Sequence, residues 1–239
     1  MFTRFLAVVG ASAAALLPLQ TLAAAPRPVV VELFTSQGCS SCPPADSFLS
    51  ELSETRTDVL PLAFHVTYWN QLGWKDPYSF DAADARQAQY AQRFHDFAYT
   101  PEIVIDGKAA MVGSNRSAVN SAIGHAKSTD VMAITLDASR GDGRVSVSIG
   151  PGNGQARVLL VGYDGRHTTP VGRGENAGHT LTESNVVRSF EPIGEWSGTA
   201  LTLKANVIAG EHLAVLLEAP DGAIVGAARV EDARAAPAH

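Results

Sequence analysis

Cys39 and Cys42 stand two residues apart, with Ser40 and Ser41 between them, and the 239-residue chain has no other cysteine. Two thiols at this spacing can close a reversible disulfide ring, and the ionised thiol is the form that attacks another disulfide. Cys39 is expected to be the exposed, attacking sulfur and Cys42 the resolving one. The backbone amides of Ser41 and Cys42, and the N-terminus of a following helix, are the groups that could stabilise a Cys39 thiolate. Pro43-Pro44 complicates that support, because Pro44 disfavours helical geometry at Pro43. Either the regular helix begins at Pro44 or the turn is irregular, so a reactive but not extreme thiol is expected.

The elements around the pair set its position. Val29-Val30-Val31-Glu32-Leu33-Phe34 is short and rich in β-branched residues, and it reads as a buried strand. Beyond the cysteines, Ala45, Phe48, Leu49 and Leu52 recur at i, i+3, i+4 and i+7, one face of a helix. Val59 to Val66 reads as a second buried strand, Thr67 to Tyr78 as an aromatic loop, and Phe80 to Phe97 as a helix carrying Tyr90, Phe94 and Phe97 on one face. Thr100-Pro101 leads into the apolar run Ile103 to Ile105, and Asp106-Gly107 ahead of a second apolar run is a hairpin signal. Ser114 can cap a last helix from about Arg116 to Lys127.

Strand, CxxC, helix, strand, helix, proline, hairpin and helix follow in the order of a thioredoxin-like fold. An α/β thioredoxin-like N-terminal domain is therefore expected over residues 26–128. In that fold the proline before the hairpin is cis and lies beside the cysteines, a geometry open chiefly to proline. Thr100 and Pro101 are accordingly expected to bind substrate, with the Thr100 main chain pairing with an extended polypeptide. Glu32 and Asp46 are candidate proton acceptors for Cys42. Glu32, a carboxylate inside a buried strand, is the more unusual of the two and a candidate proton relay, or simply a buried structural acid. His65 could approach the sulfurs or sit in the core, and Trp69, Trp74 and Tyr78 could line a groove or simply pack.

The pattern changes near residue 130, and the boundary is expected at residues 128–131. Short alternating runs follow, among them Val145 to Ile149, Arg157 to Tyr163, Leu201 to Val207 and Leu213 to Leu217, punctuated by glycine-rich turns. With no helical period between them, they predict an all-β sandwich-like C-terminal domain over residues 131–232 and a short disordered tail at 233–239. This half has no cysteine and its histidines are scattered, so it is expected to position or select partners rather than to catalyse. Arg173-Gly174-Glu175-Asn176-Ala177-Gly178-His179 reads either as a long turn-forming loop or as a recognition loop that walls the cleft over Cys39.

Residues 1–25 combine Arg4, an apolar stretch and a small-residue zone ending in Ala23-Ala24-Ala25, and they read as a signal peptide. The product would be periplasmic or secreted, where a lone cysteine pair tends towards the disulfide. A formal charge of -6 with dispersed acids argues against nucleic acid as a partner. No further apolar span suggests a membrane role after export. No cofactor and no metal-ligand set are assigned.

Val30 to Asp46, with Val-Glu-Leu-Phe-Thr-Ser-Gln-Gly-Cys-Ser-Ser-Cys-Pro-Pro-Ala-Asp as its heart, resembles the bacterial secreted family catalogued as domain of unknown function 1223. Phe64-His65-Val66, Tyr68-Trp69, Leu72 to Pro77, Tyr99-Thr100-Pro101, Arg173 to Gly178 and Asn185 to Arg188 extend the resemblance over nearly the whole chain past residue 25. It implies a thioredoxin-like N-terminal domain and a secreted protein, and it supplies no substrate. Acids are common in that pattern at the positions of Thr67 and Asn70. Three functions remain open. One is an exported thiol–disulfide oxidoreductase, or a thioredoxin-like redox protein, acting on a protein or small-molecule thiol or disulfide. Another is a copper-handling module, which needs His65 or a further donor near both sulfurs. The third is a non-catalytic secreted protein whose disulfide is only structural.

Overall fold

A computed structural model describes residues 27–129 and 134–233. The expected signal peptide, residues 130–131 of the expected boundary and residues 234–239 of the expected tail lie outside them. The β-branched run forms β1 (Val29–Thr35), and α1 (Pro43–Thr55) carries the chain to β2 (Val59–His65), parallel to β1. Every residue of both strands is buried. Neither strand alternates apolar with polar, because packed layers cover both faces of the pair. After α2 (Asp81–Phe94), β3 (Glu102–Ile105) pairs antiparallel with β1 and turns through Asp106-Gly107 into β4 (Ala109–Val112). The last helix of this half is α3 (Arg116–Thr129), where Asn115 rather than the expected Ser114 bonds the first turn, through Ala118 N at 3.1 Å. α2 stops short of the expected Phe97: His95 takes a left-handed φ of 55°, and Phe97 swings out to 86% exposure.

The second half is all strand among the described residues: β5 (Leu136–Gly141), β6 (Arg144–Ile149), β7 (Ala156–Pro170), β8 (Thr180–Trp196), β9 (Leu201–Asn206), β10 (His212–Glu218), β11 (Ile224–Arg229) and β12 (Glu231–Asp232). Two features depart from the sequence expectation. β7 runs past Tyr163 to Pro170, and β8 falls where no strand was read. Together they form a long antiparallel hairpin. β8 then pairs in parallel with β2 at Ala63 and Val186, so one eight-stranded mixed sheet, ordered β11-β10-β7-β8-β2-β1-β3-β4, crosses both halves. The halves follow each other in sequence yet share a sheet. A second, four-stranded sheet, β12-β5-β6-β9, packs Val145, Val147 and Ile149 against Val158, Leu160 and Val215 of the large one.

The large sheet buries different residues on its two faces. Val31, Leu33 and Ile103 meet Phe48 and Leu49 of α1 and Ile123 of α3. On the other face Val30, Phe34 and Phe64 meet Tyr90 of α2 together with Val161 and Leu216 of the second half. Glu32 shares that second face. Its carboxylate accepts from Arg86 Nε at 2.7 Å and from the Tyr90 hydroxyl, while Arg86 Nη1 reaches Glu218 at 3.0 Å. A charge this deep would cost several kcal/mol without such partners.

Candidate functional site

The site begins where β1 ends. Ser36 to Cys42 form consecutive turns, with Cys39 N donating to Ser36 O at 3.1 Å and Cys42 N to Cys39 O at 3.2 Å. Cys39 and Cys42 are joined in a disulfide, with their Cα atoms 5.4 Å apart. Cys42 is the helix N-cap in right-handed geometry (φ -79°, ψ -38°), so the helix starts at Pro43 and both prolines occupy its first turn. Proline is tolerated there because an amide at those positions has no intrahelical partner. It also deletes two of the amides that would face an anion, which weakens the helix as a thiolate stabiliser. A hydroxyl supplies what the amides do not: Ser41 Oγ lies 3.3 Å from Cys39 Sγ.

Cys39 was expected to be exposed, and the structure corrects this: both cysteines are 0% exposed. The cover comes from the second half, in the Val171–His179 connection between β7 and β8. Asn176 Nδ2 donates to Gln37 O at 2.9 Å and to Cys39 O at 3.0 Å. Glu175 Oε2 accepts from Ser40 N at 3.0 Å. Trp74 braces the arrangement, donating to Gln37 Oε1 at 3.1 Å. Gly174 has a φ of +77°, and a Cβ there would lie 3.1 Å from Trp74 Cβ, so the close approach and the backbone both require glycine.

Joined to the cysteine turn through Gln37 is a buried polar cluster drawn from five parts of the chain. His65 Nδ1, at the end of β2, is 2.7 Å from Asp76 Oδ2, which also accepts from Gln37 N at 2.8 Å. Glu183 of β8 accepts from Gln37 Nε2 at 2.7 Å, and its other oxygen is 3.9 Å from His65 Nε2. Neither of those last two atoms has a hydrogen-bond partner among the described residues. Asp46 stands one helical turn after Cys42, on the same side of α1, and accepts from Thr35 Oγ1 at 2.7 Å.

These neighbours move the titrations. Burial pushes the Asp46 carboxyl up to about 7, the nearby Glu183 carboxylate adds to this, and the Thr35 hydroxyl opposes it. Burial and the Asp76 charge likewise raise Glu183, against the pull of His65. Burial alone would lower His65, but the Asp76 and Glu183 carboxylates outweigh it and raise the imidazole to about 9. His65 is therefore an imidazolium at neutral pH. Asp76 is held below its ordinary value: burial works against this, and the His65 charge and the Gln37 and Tyr78 amides prevail.

Thr100 and Pro101 share neighbours with the cysteine turn and its helix, whereas Glu32 lies apart. The Thr100–Pro101 bond is cis. Thr100 Oγ1 accepts from Trp69 Nε1 at 2.8 Å, and Trp69 Cβ would sit 3.2 Å from a Cβ on Gly38. Pro101 O accepts from Gly113 N at 2.9 Å, and Gly113 abuts Ala45 of the cysteine-bearing helix. Glu32 instead faces α2, on the side of the sheet opposite Leu33 and α1, with both oxygens bonded to Arg86 and Tyr90. Side chains alternate along a strand, so Glu32 cannot share a face with Leu33 and Thr35. The buried acid nearest in the chain to Cys42 is Asp46, whose amide donates to the Cys42 carbonyl at 3.1 Å. Sequence reasoning missed Asp76 and Glu183. Asp76 was visible only within a family motif, and Glu183 stood in a polar stretch with no strand signal. No three His, Cys, Asp or Glu side chains are grouped as metal ligands among the described residues.

A family model described as "Protein of unknown function (DUF1223)" matches residues 30–218. Two solved structures are similar. An X-ray structure of a structural-genomics target from Agrobacterium tumefaciens has a TM-score of 0.76 and 29% identity, covering 91% of this chain and 100% of that one. HBP35 of Porphyromonas gingivalis has a TM-score of 0.57 and 13% identity, covering 90% of this chain and 79% of that one, a likeness of fold alone. No curated protein matches the sequence.

Proposed function

The chain belongs to the DUF1223 family of proteins of unknown function, and we propose that within it this protein is an exported thiol–disulfide oxidoreductase built on a thioredoxin-like half. One observation carries the reading: the Cys39–Cys42 disulfide heads α1 one helical turn before a buried acid, Asp46, raised to about 7. A general acid or base works best with a pKa near the operating pH. Thr100, linked through Trp69 to Gly38 of the cysteine turn, supports the same reading. Export rests on the N-terminal sequence, and a sandwich-like second half on the packing of its two sheets.

A substrate thiolate attacks Cys39 Sγ, the Cys39–Cys42 bond breaks, and Cys42 leaves as a thiolate that takes the Asp46 proton. A second substrate thiolate then attacks the substrate sulfur of the mixed disulfide. The substrate leaves as its own disulfide, and Cys39 is released as a thiolate beside the Ser41 hydroxyl. Run in reverse, the same steps reduce a substrate disulfide. An extended substrate can pair with the Thr100 main chain.

Complete burial of both sulfurs favours a second reading, a static staple. Two intervening residues close too small a loop to stabilise the chain much, which counts against it. Cys42→Ser separates the two readings. It is expected to leave Cys39 free and to accumulate a mixed disulfide with glutathione or a partner, seen by mass spectrometry as an adduct lost on adding dithiothreitol. Adducts on Cys39→Ser but not on Cys42→Ser would reverse the assignment of roles. A wild-type disulfide that resists reductant until the protein is denatured would establish the staple.

A further inference from the structure

On the redox reading above, we propose that the Val171–His179 connection is a peptide-like cover, and that the partner which displaces it is an extended polypeptide bearing a thiol or disulfide. In the cysteine turn the Gln37 carbonyl and the Ser40 amide make no backbone hydrogen bond, and the Cys39 carbonyl, which accepts from Cys42 N at 3.2 Å, has a lone pair left for a second donor. Each is met by a side chain of this one connection. The Asn176 amide donates to both carbonyls at 2.9 and 3.0 Å, as a peptide N–H would. The Glu175 carboxylate accepts from the Ser40 amide at 3.0 Å, as a peptide carbonyl would. An incoming extended chain carries both kinds of group and can replace the cover without stranding buried main-chain atoms. Dithiothreitol carries hydroxyls and no amide, so it must reach the sulfurs without such replacement.

The connection exposes much of its tip to solvent and is tied at its base. Glu175 is exposed, and Gly174 and Gly178 take φ values of +77° and +82°. At the neck, Val171 N donates to His179 O at 2.9 Å and Gly178 N to Val171 O at 2.8 Å. Below it the hairpin is anchored by Glu183 on Gln37 and by His167 stacked on Tyr78 at 4.3 Å. Leu72, 58% exposed beside Gly174, and Tyr68, 40% exposed near Thr100, offer apolar contact to the side chains of an arriving polypeptide.

Stopped-flow reduction of the oxidised full-length protein, by dithiothreitol and by an unstructured decapeptide with one central cysteine, tests the proposal. Rates are divided by thiolate concentration. Wild type is expected to favour the peptide. Asn176→Ala, which removes both donor bonds, is expected to raise the dithiothreitol rate about tenfold and to erase most of that preference. Glu175→Ala, at an exposed side chain, is expected to act in the same direction and more weakly. Thermal unfolding of each variant confirms the fold. Equal rates for all three proteins, or no wild-type preference for the peptide, overturn the cover while leaving the redox reading intact. Sulfurs that react in none of the folded proteins, yet react once denatured, overturn the redox reading itself.

Discussion

Asp46→Asn is expected to slow reduction of the Cys39–Cys42 disulfide about a hundredfold at pH 6, the low end of what a positioned proton donor contributes. The Cys42 thiolate must acquire a proton as it leaves, and Asp46 is the acid one turn along the same helix. In the oxidised protein that carboxyl titrates at about 7. The rate per substrate thiolate should therefore be level below pH 7 and fall above it in wild type, and be level throughout in the variant. Four groups face Asp46 from other elements: Thr35 on β1, His65 on β2, Glu183 on β8 and Asp76 after β2. Glu183→Gln removes a carboxylate that raises Asp46, so it should move the inflection to lower pH. A second readout separates this chemistry from a mere loss of structure. Because the folded pKa lies above the unfolded value of 3.8, the stability contributed by Asp46 is complete below 3.8 and lost as pH rises to about 7. Asp46→Asn should thus unfold at a higher temperature than wild type at pH 8 while reacting more slowly. Identical pH–rate profiles for the two proteins would remove Asp46 from the mechanism.

His65→Ala is expected to destabilise the protein by about 3–5 kcal/mol at pH 7, the usual cost of removing one partner from a buried ion pair. His65 Nδ1 and Asp76 Oδ2 are 2.7 Å apart with both side chains 0% exposed, and Glu183 lies 3.9 Å from Nε2. Alanine leaves two buried carboxylates facing no cation. The wild-type contribution follows from the raised pKa: complete below 6.5, and lost as pH rises through about 9. The variant's orphaned carboxylates can take up protons in acid. Its deficit, measured by urea unfolding, should therefore narrow from pH 7 towards pH 5. A deficit under 1 kcal/mol at pH 7 would mean that His65 is neutral and that the cluster carries no imidazolium.

Much of the first half was legible because its signals are local. β1 and β2 announce themselves as short, mainly apolar runs, α1 as a 3.6-residue period, and the β3–β4 turn as Asp-Gly. The alternating runs marked β6, β9 and β10 in the same way. β8 was not legible. Glu183, Ser184 and Asn185 are polar yet buried, and that reverses the usual reading of a polar stretch as loop. Their burial makes sense only against partners elsewhere: Gln37 for Glu183, and Pro61 O, 2.8 Å from Asn185 Nδ2, for Asn185. No window of sequence contains both sides of such a contact.

The site divides along the same line. By itself the sequence determined that Cys39 and Cys42 would share a turn between a strand and a helix, and that Thr100-Pro101 would enter the next strand, because residue type and spacing dictate both. Alternation along β1 also determined that Glu32 and Thr35 would lie on opposite faces. Only the tertiary structure decided which face receives the cysteine-bearing helix, and so made Asp46, not Glu32, the neighbouring acid. It alone decided that Cys39 is buried, since the amide that covers it belongs to Asn176, 137 residues further along the chain. The physical reason is range. Backbone preference and side-chain periodicity act over a few residues, whereas desolvation, charge pairing and the pKa values they set depend on whatever the sheet's topology brings to within a few ångströms.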